Sequence, residues 1–347
     1  MIIKPHSSTE IRNTLSFSSD LFANPSMSGN EIKVDILLST FNGEQFLQQQ
    51  LDSLVRQNYT NWNLIVRDDG SSDSTVAILE SFMKEHDSKV HIIRDGLHLD
   101  VAESFLKLLR LSKNPYILFC DQDDIWHPDK INTLLTLMLK TESGRVDIPV
   151  CAFSKAELID QLNIPMKIVV PDIHRFNINT KPTAFFFANY VPGCCLMLNS
   201  KVRVLADLFD CKGLYHDHFC IIITAILGKL AFCPNSLISY RIHEKNTVGY
   251  RRIKLNFRDR LFLIKAQFKR ILSNNKYRDL YSTYLSLIKS VYSFGANEYL
   301  IGEWGKVIKM YSNINNLTFF ARKYLIIKYP PIIFRDWQKR VMFLFCF

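Results

Sequence analysis

At 347 residues, 48% of them hydrophobic and 22% charged, the chain has the material for one large domain plus an extension, or for two domains, around a substantial core. Its eight cysteines show no Cys-x-x-Cys pairing or zinc-like spacing, and it shows neither a secretory signal peptide nor a run of about 18 apolar residues; buried thiols in a reducing cytoplasm are expected, and nothing clearly spans a membrane. The net charge of +10 is uneven: residues 250–347 hold 19 Lys and Arg against 5 Asp and Glu, the rest of the chain 24 against 28, so a near-neutral body carries a basic segment suited to nucleic acid, acidic lipid or a charged substrate.

Residues 1–32 are polar, rich in Ser and Asn, and read as a tail outside the main domain. Val34 to Leu38 is a buried-strand pattern that ends in Ser39-Thr40-Phe41-Asn42-Gly43, after which Phe46, Leu47, Leu51, Leu54 and Val55 recur at helical spacing. A second strand, Leu64 to Val66, ends in Asp68-Asp69-Gly70-Ser71-Ser72-Asp73, with Ser72 or Asp73 suited to cap a helix carrying Val76, Ile78, Leu79 and Phe82. A third strand, Val90 to Ile93, leads through Gly96 to a helix with Phe105, Leu108, Leu109 and Leu111. The fourth, Tyr116 to Cys120, runs straight into Asp121-Gln122-Asp123-Asp124, with Pro128 near the start of the next helix.

Strand and helix alternate about every 25–30 residues, the pattern of a parallel sheet with right-handed crossovers. Ligands bind such sheets at the carboxyl ends of the strands, where these acids emerge. Three adjacent carboxylates repel one another unless a cation or protons compensate, so the stretch is either a metal–phosphate site or a solvated acidic turn before a helix. Neither G-x-x-x-x-G-K-[ST] nor G-x-G-x-x-G follows the first strand, which disfavours a P-loop NTPase and a dinucleotide-binding domain. Further on, Ala184 to Tyr190 and Cys194 to Leu198 look strand-like around a Pro192-Gly193 turn. Tyr215 to Phe219 opens a helix that stops near Gly228, and strands are expected at Leu230 to Cys233 and Leu237 to Ile242. From Arg251 the pattern is helical, basic and aromatic, with a break at Pro330-Pro331.

Over residues 33–250 the chain resembles a family 2 glycosyltransferase of the GT-A fold. The motifs that carry this are Ser39 to Gly43, Asp68 to Asp73, Asp121 to Trp126, Gly193 with the apolar strand after it, His216-Asp217, and Tyr240-Arg241-x-His243-x-x-Asn246-x-x-Gly249. It looks most like the rhamnosyltransferase-type members that build bacterial surface polysaccharides (O-antigen, capsule). The resemblance implies a GT-A, Rossmann-like, mostly parallel α/β sheet flanked by helices. Residues 33–130 would form the nucleotide-binding half and 131–250 the acceptor half, with a basic helical extension over 251–347. It implies an inverting transfer of a sugar from a UDP- or dTDP-linked donor to a saccharide, lipid-linked acceptor, with Mn²⁺ or Mg²⁺. Ser39, Thr40, Phe41, Asn42 and Asp69 would hold the nucleotide, with Phe41 where the family usually has Tyr. Asp121 would reach the sugar or ribose, and Asp123 the metal, with Asp124 offering an overlapping register.

Asp217 matches the family's general base, or else caps the helix that follows. His216 and His218 are either neighbours that tune it or structural histidines. His243 resembles a histidine near the diphosphate or metal, or else is a hydrogen-bonded loop residue, and Arg241 is either a diphosphate partner or an internal ion pair. Beyond the resemblance, stretches such as Phe257 to Phe262 and Phe334 to Arg340 suit contact with the inner face of a cytoplasmic membrane, or helices that pack with solvated basic faces. The weighed rivals are a sugar nucleotidylyltransferase, which wants a Gly-rich basic loop that Ser39 to Gly43 lacks, and a nucleic-acid-binding protein using the basic segment. The latter leaves the ordered acids unexplained, so no nucleic-acid partner is expected.

Overall fold

Four apolar runs buried on both faces line up side by side: β1 (Val34–Thr40), β2 (Trp62–Asp68), β3 (Val90–Ile93) and β4 (Tyr116–Cys120) pair in parallel, in the order β3-β2-β1-β4. The computed structural model describes residues 32–143, 148–171, 182–187, 189–244, 246, 275–295 and 303–329. The crossovers are α1 (Leu47–Val55), α2 (Thr75–Glu85) and α3 (Val101–Leu111), each laying its apolar stripe on the sheet through residues such as Leu51, Leu54, Leu79, Phe82, Phe105 and Leu108. Asp100 caps α3 by accepting from Glu103 N at 2.8 Å. At α2 the capping position falls to Ser74 rather than Ser72 or Asp73, and Asp73 instead accepts from Thr75 N at 3.0 Å.

One buried acid lies in the middle of this layer. Asp35 of β1 accepts from Lys113 N, Asn114 N and Asn114 Nδ2 at 2.8, 2.9 and 2.6 Å, which anchors the turn that feeds β4 into the sheet. A buried carboxylate is tolerable when its oxygens are met in this way.

The second half of the sheet is less parallel than the alternating pattern implied. Next to β4 comes β8 (Leu196–Asn199), then β6 (Val150–Ile159), β9 (Lys229–Arg241) and the short β5 (Ile125–Trp126), with β7 (Pro165–Val170) further along the same edge of β6 that β8 pairs with. Only β6 and β9 pair in parallel here; the other four pairings are antiparallel. The β6–β7 connection is a hairpin loop with Asn163 at φ 66°, too short for the crossover that a parallel pair needs.

Three local expectations shift. The described residues of 184–190 form no strand: Pro182–Phe185 is a 3₁₀ turn, and Phe185, Phe186 and Phe187 are buried by packing rather than by pairing. Gly193–Cys195 is another 3₁₀ turn, so the following strand starts at Leu196. The two strands expected around Pro234 are one, β9, and the register shifts against β6 put extra residues into β9 there, which leaves the proline outside the regular pairing.

Helix α4 (Lys130–Glu142) follows the acidic loop, α5 (Ser200–Ala206) follows β8, and α6 (His216–Leu227) is buried along all twelve of its residues. A polar knot ties this half together: Tyr116 Oη donates to Glu142 Oε2 at 2.5 Å, Asn199 Nδ2 donates to Glu142 Oε1 at 2.8 Å, and Asn199 Oδ1 accepts from Val150 N at 3.1 Å.

Of the basic extension, α7 (Asn275–Gly295), α8 (Glu303–Ser312) and α9 (Phe319–Lys328) are described. Leu287, Ile288 and Val291 of α7, Val307 and Ile308 of α8, and Leu325 and Ile326 of α9 join the main core. One face of each helix therefore packs on the body. Residues 1–31, Phe257 to Phe262 and Phe334 to Arg340 lie outside the described residues. The seven cysteines among the described residues are free thiols, six of them buried, and no helix among those residues is long and apolar enough to cross a membrane.

Gly228 joins α6 to β9 where a Cβ would lie 1.8 Å from Pro149 O, a backbone atom that cannot swing away. Gly228→Ala is expected to lower stability by about 1–3 kcal/mol through this overlap, read as a drop in the thermal unfolding midpoint.

Candidate active site

The carboxyl ends of β1, β2 and β4 open along one edge, and their loops are knit to each other. Thr40 Oγ1 donates to Asp68 Oδ1 at 2.9 Å, Asn42 N donates to Ser71 Oγ and Asn42 Oδ1 accepts from Ser72 N, both at 2.9 Å, and Gly43 N donates to Thr75 Oγ1 at 2.7 Å. The other Asp68 oxygen accepts from Gly70 N and Ser71 N, a turn that needs Gly70 at φ +88°. Thr40 and Asn42, both expected at the nucleotide, are thus occupied in building the cradle. Ser39 Oγ lies 2.7 Å from Ser104 Oγ.

Phe41 projects from this rim, 46% exposed, its ring centroid 5.2 Å from that of His98. Beside it the Asp69 carboxylate is held by Arg67 Nη1 at 2.5 Å, Leu99 N at 2.8 Å and His98 Nδ1 at 2.8 Å. Arg67 is fully buried and also bridges to Asp95 at 3.1 Å, so Asp69 is fixed in orientation from beneath.

After β4 the four residues of the acidic stretch take separate directions. Gln122 Oε1 accepts from Phe41 N at 2.9 Å and its Nε2 donates to Phe41 O at 3.0 Å, a two-point clasp between the β1 and β4 loops. Gly43 must be glycine for this clasp to close, because a Cβ there would lie 2.3 Å from Gln122 Oε1. Asp123 faces His243, with Oδ2 2.7 Å from Nε2, and Asn246 Nδ2 donates to the same oxygen at 3.3 Å. Asp124 turns into the fold, fully buried, and accepts from Arg241 N at 3.0 Å. Of the two overlapping registers, Asp123 is thus the open one and Asp124 the internal one.

Asp121, Asp124 and Cys194 bring ligand atoms within 4.8 Å of one another, a possible metal-binding group among the described residues. Burial pushes the Cys194 thiol well above its usual range, so it is a neutral donor to the two carboxylates. Burial, with the charge of Asp123 next, raises the Asp121 carboxyl to about 7, and the same two causes push Asp124 up. Beneath the cluster lies one buried cation. Lys130 Nζ donates to Cys194 O at 2.7 Å and sits 3.2 Å from the centroid of the Trp126 ring, with burial bringing its pKa down to about 8.

Arg241 turns into the fold. It is fully buried, donating to Asp123 O at 2.7 Å, Asp160 O at 3.3 Å, Asn163 Oδ1 at 2.5 Å and Gln49 Oε1 at 2.9 Å. Those bonds occupy most of the five N–H groups of the guanidinium and clamp the β6–β7 loop and α1 to the acidic stretch, so the structure gives Arg241 an internal role, made with carbonyl and amide oxygens rather than with an acid partner.

Asp217 sits in the first turn of α6, where Tyr215 is the capping residue, so it is not the cap. Its Oδ1 accepts from His218 N at 2.6 Å, and burial raises its carboxyl to about 6. Gly193 closes the gap between this helix and the acidic loop. A Cβ there would lie 2.8 Å from His216 Nε2 and 3.4 Å from Asp217 Cβ, so glycine lets the Gly193–Cys195 turn pass between Asp217 and the Asp121–Asp124 pair. The two histidines are structural. His216 stacks on Phe105 at 4.2 Å and meets Phe119 edge-on at 4.6 Å, while the ring of His218 spans Phe185 O at 2.6 Å and Tyr284 Oη at 3.0 Å. Burial holds them neutral, at about 3 and about 4.

Gln122, Lys130, Arg67 and Cys194 are the members of this site that motif reading passes over. Gln122 and Lys130 flank the acids in sequence, and a lysine within a helix of apolar period was the available signal. Arg67 and Cys194 come from other strands and turns, and only the pairing of the sheet puts them here.

The profile of the family described as "Glycosyl transferase family 2" matches residues 35–202, which includes the β1, β2 and β4 loops and the Gly193–Cys195 turn. Among curated proteins, the chain is 24% identical over 255 residues to the "dTDP-rhamnosyl transferase RfbG" of Shigella flexneri, covering 69% of this chain and 80% of that one. It is 30% identical over 221 residues to an uncharacterized glycosyltransferase of Haemophilus influenzae, covering 62% of this chain and 67% of the relative. It is 28% identical over 144 residues to the "UDP-Glc:alpha-D-GlcNAc-diphosphoundecaprenol beta-1,3-glucosyltransferase WfgD" of Escherichia coli, a match that spans 42% of this chain and about half, 53%, of that relative. With the α/β sheet, the acidic loop after β4 and these relatives together, the chain belongs to glycosyl transferase family 2, and it is a glycosyltransferase.

Proposed function

We propose that the protein is an inverting, metal-dependent transferase that moves a sugar from a UDP- or dTDP-linked donor to a lipid-linked saccharide. One observation carries this reading: at the strand-end edge after β4, Asp121 feels the charges of both Asp123, which pairs with His243, and Asp217 at the start of α6. That edge offers a negatively charged pole and, apart from it, a carboxylate of raised proton affinity, the two chemical functions that a single displacement at an anomeric carbon requires.

In this reading Phe41 stacks on the base and Asp69, pre-oriented by Arg67, accepts its N3–H, while Asp121 meets the sugar or ribose. Asp217 accepts the proton of the acceptor hydroxyl as that oxygen bonds to the anomeric carbon, the bond to the β-phosphate breaks, and the nucleoside diphosphate leaves. The carboxylate oxygens of Asp123 and Asp121 fit Mn²⁺ or Mg²⁺, with the His243 imidazole a donor that suits Mn²⁺ better than Mg²⁺, and the burial and Asp123 charge that raise Asp121 make a site whose negative charge a cation relieves. When bound, the ion supplies positive charge to the diphosphate. A rhamnosyl donor is supported by the name of the Shigella flexneri relative, and an acceptor on a polyprenyl diphosphate by that of the Escherichia coli one. In this reading, with such an acceptor and a role in surface-polysaccharide synthesis, the enzyme works at the inner face of the cytoplasmic membrane.

The direct test is release of nucleoside diphosphate from a panel of UDP-, dTDP- and GDP-sugars with Mn²⁺ or Mg²⁺ and a lipid extract. Turnover of one donor is expected, abolished by chelation, with Asp123→Ala and Asp217→Asn each lowering kcat by about a hundred- to ten-thousandfold. Full activity in Asp217→Asn moves the base elsewhere, and silence with every donor, without nucleotide binding, overturns the reading.

The pH profile follows from the sign of one shift. A base must be deprotonated, and burial raises Asp217 to about 6, so kcat/KM should fall as pH drops through about 6 and this limb should vanish in Asp217→Asn.

Asp121 yields an equilibrium test. Its carboxyl holds a proton to about 7 in the fold, against about 3.9 in an unfolded chain, so the folded state binds the proton more tightly and loses stability as pH rises through that window. Without metal at about pH 7.5, Asp121→Asn should therefore be more stable than the natural protein by about 1–2 kcal/mol in denaturant titration, and added Mn²⁺ should narrow the difference.

A further inference from the structure

The last described helix, α9, is apolar on two sides. Leu325 and Ile326 are buried in the core, yet Phe319, Phe320, Tyr324 and Ile327 are 61%, 82%, 56% and 60% exposed. The solvated face of a short packed helix is ordinarily polar. Here Phe320, Tyr324 and Ile327, at helical spacings of four and three, form an outward apolar stripe with Phe319 beside it. Cations border the stripe: Lys323 Nζ lies 4.9 Å from the Phe319 ring centroid and Lys328 Nζ 5.4 Å from that of Tyr324. No Asp or Glu occurs between residues 304 and 335.

The chemistry of this face narrows what it can meet. Aromatic and aliphatic side chains edged by lysines match a surface that is apolar just beneath a layer of negative charge, as an anionic bilayer is. A second copy of the chain is a poor match, since it brings the same cations to the contact and a net charge of +10. Nucleic acid would satisfy the lysines but leave Ile327 in water.

We propose that α9 is a membrane-docking face, with Phe319, Phe320, Tyr324 and Ile327 entering the interface of an anionic bilayer and Lys323 and Lys328 meeting lipid phosphates. This rests on the lipid-linked acceptor reading above and gives it a location on the molecule. It also lies outside the two stretches, Phe257 to Phe262 and Phe334 to Arg340, that composition alone singled out.

The test uses the full chain and sedimentation with vesicles of phosphatidylcholine, alone or mixed with phosphatidylglycerol. The natural protein should partition onto mixed vesicles and weakly onto neutral ones. The pair Phe320→Ser with Ile327→Ser should weaken that partitioning by about tenfold or more, and Lys323→Gln with Lys328→Gln by about fivefold for each cation lost. Phe320, Ile327 and Lys328 are exposed and Lys323 is half-buried, so thermal midpoint and acceptor-free release of nucleotide should change little, which separates docking from folding and from the transferase reading. Absence of binding to mixed vesicles, or variants that bind as the natural protein does, overturns the proposal. So does a dimer that Phe320→Ser dissociates while vesicle binding persists, which would assign the face to a second copy.

Discussion

The constraint on which the rest depends is the concentration of negative charge at the end of β4. Asp121, Asp123 and Asp124 follow one another out of a strand that is buried on both faces, and Asp217 approaches from α6. Unscreened carboxylates so close together repel strongly in a partly dry site. Much of the surrounding structure separates or offsets them. Gln122 is clasped to the Phe41 backbone, Asp124 is turned inward onto Arg241 N, Asp123 is paired with His243, and Lys130 is buried beneath. Burial and the repulsion that remains together raise the proton affinity of both Asp121 and Asp124.

Two buried arginines hold the site from opposite sides. Arg67 braces Asp69 and Asp95 beneath the β2 loop, and Arg241 clamps α1, the β6–β7 loop and the acidic stretch. Each is a multi-donor hub with its hydrogens spent on the fold, which suits Arg, whose planar fork of donors satisfies several acceptors at once. Gly43 and Gly193 matter for the complementary reason: each is where two functional loops pass too closely for a Cβ. The site is thus over-determined in its frame, with Asp121, Asp123 and the Phe41 rim left partly open.

The C-terminal helices show how composition and packing answer different questions. The basic, aromatic character of residues 250–347 is compatible with either packed helices or a surface-binding segment. Both descriptions apply to one element: α9 uses Leu325 and Ile326 to pack and leaves Phe320, Tyr324 and Ile327 outward. A helix of period 3.6 can carry two apolar faces, and the sequence pattern alone does not say which one is inside.

Much of this protein was determined by its sequence alone. Strands β1 to β4 were legible because β-branched and apolar runs ending in Gly- and Asp-rich loops are a local signal, and local signals need no partner to be read. So were the family motifs at Ser39 to Gly43, Asp68 to Asp73 and Asp121 to Asp124. The antiparallel half of the sheet, the joining of β9 across Pro234, and the packing of Phe185 to Phe187 in place of a strand were decided by tertiary structure, since strand pairing is a property of two segments. The same holds at the site. Sequence could place Arg241 and Asp124 next to functional motifs, but only the fold turned both inward, Arg241 onto carbonyl and amide oxygens and Asp124 with one oxygen on Arg241 N and a carboxylate oxygen near Asp121 and Cys194.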